Sequence, residues 1–192
     1  MKTPKIKSSK MITKIAFFSV LLIVACKGRD GSSVDAQGKV KPPTVDIHTT
    51  VITENREALE QHIAAGTNLN EKDPFGGSSP LISAAVFGKP GMAKLLIEAG
   101  ADLDFQNNDG STALISAAFF CRPDIVRMLL DAGADKTIRN NYGATAYESV
   151  LAPFNEVKNS YDMMGKMLEP LGLQLDHAYL EKTRPEIAAM LK

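Results

Sequence analysis

The chain has 192 residues, 44% of them hydrophobic and 23% charged, which suits one globular domain with a substantial core. Its 22 basic and 22 acidic residues cancel, but Lys2, Lys5, Lys7, Lys10 and Lys14 precede every acidic residue, so beyond residue 25 the balance is 22 − 5 = 17 basic against 22 acidic, a net of −5. That argues against nucleic acid and against direct electrostatic docking of the folded part on an anionic membrane, and two cysteines, Cys26 and Cys121, make no disulfide framework.

Behind the five lysines runs an apolar stretch, Ile15 to Ala25. Eleven residues at about 1.5 Å each cannot cross a hydrocarbon core about 30 Å thick. A positive start, a short apolar run and a small residue before the break predict an export signal over residues 1–25. Ile23-Val24-Ala25-Cys26 resembles a bacterial lipobox. By that resemblance the signal is cut before Cys26, which is acylated and becomes the first residue of the mature protein, with the lipid bilayer as its partner. Two or three acyl chains, at about 0.8 kcal/mol per buried methylene, make the attachment effectively permanent. A plain secretory signal with an incidental cysteine is the other reading, and Met11 is an alternative start. Lys27, in place of the Asp that retains many lipoproteins in the inner membrane, points to the outer membrane or periplasmic face of the cell envelope. Residues 26–45, with Gly28, Gly31, Gly38 and Pro42-Pro43 and few large apolar side chains, read as a flexible linker.

The rest, 46–192, is organised by a period. Gly77, Gly110 and Gly143 are 33 residues apart, as are Ser79-Pro80-Leu81, Thr112-Ala113-Leu114 and Thr145-Ala146-Tyr147; Ala84-Ala85 returns as Ala117-Ala118, and Ala99-Gly100-Ala101-Asp102 as Ala132-Gly133-Ala134-Asp135. A first copy lies 34 residues back, with Gln61 and His62 where the next has Leu95 and Leu96, polar residues suited to an end face without a neighbour. The copies span about 46–70, 73–106, 107–139 and 140–192. Each predicts two short helices, the second opened by Pro90 or Pro123 and closed by Gly66, Gly100 or Gly133. In the fourth copy the second helix is delayed: Arg122-Pro123-Asp124-Ile125 is echoed 62 residues on by Arg184-Pro185-Glu186-Ile187, and Thr183 with Glu186 predicts a capping box for it. The insert, 152–182, carries Val157, Tyr161, Met164, Leu168 and Leu171 at amphipathic spacing, interrupted by Gly165 and stopped by Pro170. Either it closes the open end of the stack or it binds a partner.

A fixed 33-residue period with these motifs resembles the ankyrin repeat family. The resemblance implies an all-α solenoid of about four helix pairs with β-turn fingers and a helical C-terminal cap, acting as a non-catalytic protein–protein interaction module. It also implies that His48, in the histidine column of the repeat, ties its turn together by hydrogen bonds. Partners are expected at the finger tips, Asn107, Asn108, Asp109, Arg139, Asn141 and Tyr142, and at the outward residues of the first helices, Val86, Phe87, Phe119 and Phe120. Phe87 and Phe120 share a column and are expected to form an aromatic stripe, unless the insert folds over Phe119 and Phe120 and makes them core; both readings stand. A structural or self-associating envelope protein, or a regulator of an envelope enzyme, is the alternative function.

No catalytic constellation is apparent. His48, His62 and His177 lie in separate elements, no Gly-x-Ser-x-Gly elbow exists, and Asp102, Asp104 and Asp109 lack the twelve-residue calcium pattern. Neither cofactor, metal nor small-molecule substrate is expected. Cys121 stands in the column of Gly88 and reads as a small buried apolar residue.

Overall fold

The computed structural model describes residues 38–192. The export signal, Cys26 and most of the linker lie outside the described residues. Eight α-helices follow in order: α1 (Ile47–Ile52), α2 (Arg56–Ala64), α3 (Pro80–Phe87), α4 (Pro90–Glu98), α5 (Ala113–Phe119), α6 (Pro123–Asp131), α7 (Phe154–Leu168) and α8 (His177–Leu191). Consecutive pairs stack side by side, α3 between α1 and α5, and α4 between α2 and α6.

Local chemistry starts and stops each helix. Asp46, Asn55, Ser79 and Thr112 cap α1, α2, α3 and α5 by accepting a backbone N–H three residues on. Pro90 and Pro123 sit at the first position of α4 and α6, where the missing N–H has no intrahelical partner to lose. Between the two helices of a pair the chain turns through a left-handed residue: Glu54, Gly88 and Cys121, with φ of 54°, 64° and 54°.

The core runs the length of the stack. Ala58, Met92, Ile125 and Ile187 form one buried column, and His62, Leu96, Leu129 and Leu191 a second. Each fully buried leucine or isoleucine contributes about 1.5–3 kcal/mol. His62 is buried rather than facing solvent: its Nε2 donates to the Val45 carbonyl (2.9 Å) and its Nδ1 accepts from the Thr67 hydroxyl (3.1 Å). Gln61 donates to the Lys41 carbonyl (2.8 Å). The polar first copy thus holds the segment before α1 instead of standing bare.

The fourth copy departs most. Its first helix shrinks to a 3₁₀ turn, Glu148–Val150, and the capping box forms there: Glu148 N–H donates to Thr145 Oγ1 (3.2 Å) and Thr145 N–H to Glu148 Oε2 (2.8 Å). Thr183, expected to open the last helix, is buried inside α8, which begins at His177 with Asp176 as its cap. The column that is left-handed at Glu54, Gly88 and Cys121 is occupied here by a β-branched threonine, for which that conformation is costly. The chain therefore stays helical through Pro185. Beyond it, Ile187 and Leu191 pack on α6 and close the end of the core, one of the two roles that the sequence leaves open to the insert. Gly165 does not interrupt α7; Leu175 packs beside it. Leu171, expected on the apolar face, is exposed.

Candidate functional site

The fingers form a hydrogen-bonded row. Within each, an Asp or Asn in the column of Asp73, Asn107 and Asn140 folds the tip by accepting N–H groups of its own turn: Asp73 from Phe75, Gly76 and Ser78, Asn107 from Asp109 and Ser111, Asn140 from Tyr142 and Ala144. Burial would raise the Asp73 carboxyl, but the N–H groups of Gly76, Phe75 and Ser78 outweigh it and hold it below its ordinary value. Between fingers, Asn108 N–H donates to Gly76 O (3.0 Å), Asn141 N–H to Asp109 O (2.9 Å) and Asn141 Nδ2 to Asn108 O (2.9 Å). Gly77 and Gly110 permit this approach: both have positive φ, and a Cβ there would stand 2.3 Å from Asn108 Oδ1 and 2.7 Å from Asn141 Oδ1. His48 ties the same row to the helices, its Nε2 to Glu71 O (3.1 Å) and Nδ1 to Ser83 Oγ (3.3 Å).

The predicted tip residues divide. Asn107 spends its Oδ1 on its own turn and Asn141 its Nδ2 on the ladder between fingers. Arg139 binds Glu148 through both terminal nitrogens (2.6 and 3.0 Å) and also donates to the Gly143 carbonyl. Asn108 and Asp109 are exposed. Tyr142 is 79% exposed, its hydroxyl 3.5 Å from Asp109 Oδ1. One tip residue escaped the sequence reading: Phe75, 88% exposed between Pro74 and Gly76 at the tip of the preceding finger. An aromatic in an Asp-Pro-x-Gly-Gly turn was the available signal.

Glu148 anchors this end of the row. The Thr145 N–H, then Arg139, hold its carboxyl at about 2 against an ordinary value of 4.5. Its folded value is depressed, so its contribution is present above about 4.5 and is lost as pH falls through about 2. A carboxyl NMR titration of Glu148 is expected to show a midpoint near 2, moving up toward 4.5 in an Arg139→Gln variant; a midpoint near 4.5 in the unaltered protein refutes the anchor.

On the helix face the aromatic stripe is not as expected. Val86 and Phe87 are half-buried, and Phe87 enters none of the ring pairs among the described residues. Phe120 is core, 2% exposed. Phe119 is covered by α7: its ring stacks on Tyr161 at 4.5 Å and meets Phe120 edge-on at 5.2 Å. With α7 seated, Phe119 and Phe120 are packing rather than partner-binding residues, the second of the two readings that the sequence leaves open. The reason is the insert, whose Tyr161 needs an apolar wall and a hydrogen-bond partner and finds both at Phe119, the hydroxyl donating to its carbonyl (2.6 Å).

Cys121 is a buried thiol, pushed up to about 11 by burial, against which Arg184 and Arg122 pull only weakly. Among the described residues no group of three or more His, Cys, Asp or Glu side chains could hold a metal ion, and no helix is long and apolar enough to cross a membrane.

Residues 47–140 match the family model described as ankyrin repeats, three copies. No curated protein matches the sequence. Among solved structures, the crystal structure of the ankyrin repeat domain of Bcl-3, a member of the IkappaB protein family, is similar with a TM-score of 0.53 and 28% identity, covering 62% of this chain and 53% of that one. The chain thus spans about half the length of that relative. The stacked helix pairs, the hydrogen-bonded fingers and these two matches agree: residues 47–140 are ankyrin repeats, and the chain has the ankyrin-repeat fold.

Proposed function

We propose that the protein is a non-catalytic interaction module, exported and held at the cell envelope by an acylated Cys26, which grips a protein partner with its finger tips and the open part of its helix face. Ankyrin repeats generally mediate protein–protein interaction. The observation that carries the reading for this chain is the pair Phe75 and Tyr142, among the most exposed large apolar side chains, standing on fingers that the ladder holds rigid. Exposed aromatics cost solvation, and anchors fixed before binding lose little entropy when they dock. Phe87 and Val86 extend the surface onto the helices, and Asn108 and Asp109 supply its polar contacts. The tether is supported by the lipobox-like Ile23-Val24-Ala25-Cys26, and Lys27 favours the outer membrane.

The test is crosslinking and capture in cells making the full chain. Labelled fatty acid is expected in the unaltered protein and absent from Cys26→Ser. A captured protein is expected to be lost from Phe75→Ala/Tyr142→Ala and weakened by Phe87→Ala, by about thirtyfold for a hot spot of about 2 kcal/mol. A partner held equally by all three removes the surface; label in Cys26→Ser removes the tether.

A further inference from the structure

The molecule has a second apolar cluster that shares no fully buried residue with the main core. Its buried members are Cys121, Tyr161 and Leu180, with Phe119, Phe154 and Val157 packed around them. Of the fifteen residues of α7 only Tyr161 is fully buried, and the opposite side exposes Met163 (62%) and Met167 (60%). Tyr161 is thus the one buried attachment of the helix, flanked by half-buried Phe154 and Val157, with Asp162 Oδ1 3.1 Å from His177 Nε2 at the rim. Its ring lies on Phe119, and its hydroxyl donates to the Phe119 carbonyl (2.6 Å) and accepts from Arg184 Nη1 (2.7 Å). The end of the core is closed by Ile187 and Leu191 of α8, so detaching α7 leaves that core whole. A segment with few buried contacts of its own opens at a fraction of the free energy of global unfolding. Its flanks suit a swing: Pro153 is extended before the helix (φ −53°, ψ 142°), and Gly172 is left-handed after it (φ 89°).

We infer that α7 is a displaceable lid, seated on the third repeat in place of an external ligand, and that the ligand of this seat is an amphipathic helix of a partner protein carrying a tyrosine. The seat asks for that chemistry: an aromatic ring to stack on Phe119, with a hydroxyl that donates to the Phe119 carbonyl and accepts from Arg184. The inference deepens the proposed function and rests on it, since it states when the third repeat becomes available to a partner.

Two measurements on the full chain test it, using as probe a labelled peptide with the sequence of residues 153–172. By hydrogen exchange, amides of 158–168 are expected to exchange at least about tenfold faster than those of α5 and α6, through an opening that leaves α5 and α6 protected. The peptide is expected to bind Tyr161→Ala, whose own lid is weakened, at least about tenfold more tightly than the unaltered protein. Exchange of α7 at the rate of α6, or equal or absent binding to both proteins, overturns the lid. A Tyr161→Ala variant that dimerises instead identifies a second copy as the occupant and overturns the external helix. If that variant does not fold, exchange in the unaltered protein decides. Neither readout involves the finger tips, so failure here leaves the tip surface standing, and failure of the capture experiment leaves the lid.

Discussion

Leu96→Ala is expected to lower the stability of the whole array by about 3 kcal/mol, within the 2–5 kcal/mol typical of a fully buried leucine. Leu96 is fully buried in the middle of the column that runs His62, Leu96, Leu129, Leu191, and α4 packs on both α2 and α6. The alanine leaves a cavity that neither neighbour fills alone, because each is held by its own partner helix. In a stack where each repeat touches only its neighbours, weakening the second repeat also weakens two interfaces at once. A thermal scan is expected to show the midpoint lowered by roughly 6–12 °C, at about 2–4 °C per kcal/mol for a chain of this size. A shift under about 2 °C refutes the reading of Leu96 as a central core residue.

Arg184→Met is expected to cost a comparable amount but in a different place. Arg184 is 3% exposed and donates to Tyr161 Oη (2.7 Å), Ala152 O (2.8 Å) and Ser149 O (3.3 Å), with no carboxylate among its partners. Methionine fills much of the space and leaves those three acceptors without a donor. At about 1–3 kcal/mol for each buried group left unsatisfied, partly relieved where water reaches, the sum is about 3 kcal/mol. The penalty has a ceiling, since undocking α7 exposes Tyr161 to water and frees it of the need for a partner. The loss is therefore expected as a weakened near-ultraviolet tyrosine signal and faster exchange in α7, with the midpoint of the main transition falling by less than in Leu96→Ala. Arg184→Lys is expected to recover little, because one ammonium cannot span three acceptors that a planar guanidinium reaches. A fall in the main midpoint as large as that of Leu96→Ala would show that α7 and the main core melt as one unit.

What could be read from the residues alone was whatever repeats. The 33-residue period placed the helix pairs, the glycine-closed ends and the protruding fingers, and the echo at Arg184-Pro185-Glu186-Ile187 placed the last core helix beyond its insert, because equivalent residues meet equivalent neighbours in every copy. Ile187 and Leu191 occupy the core columns that this echo assigns. What only the folded chain decided were the contacts that occur once. Tyr161 lies 42 residues from Phe119, and nothing in either copy of the repeat foreshadows their meeting; yet it decides that Phe119 is covered, while Phe120 proves to be core and Phe87 is half-buried. Thr183 likewise looked like a cap until its column required a left-handed backbone that threonine resists, leaving the helix to run on through Pro185. Periodic patterns are enforced by local geometry and so survive in the sequence, whereas the docking of an insert depends on which distant surface best satisfies its few buried groups.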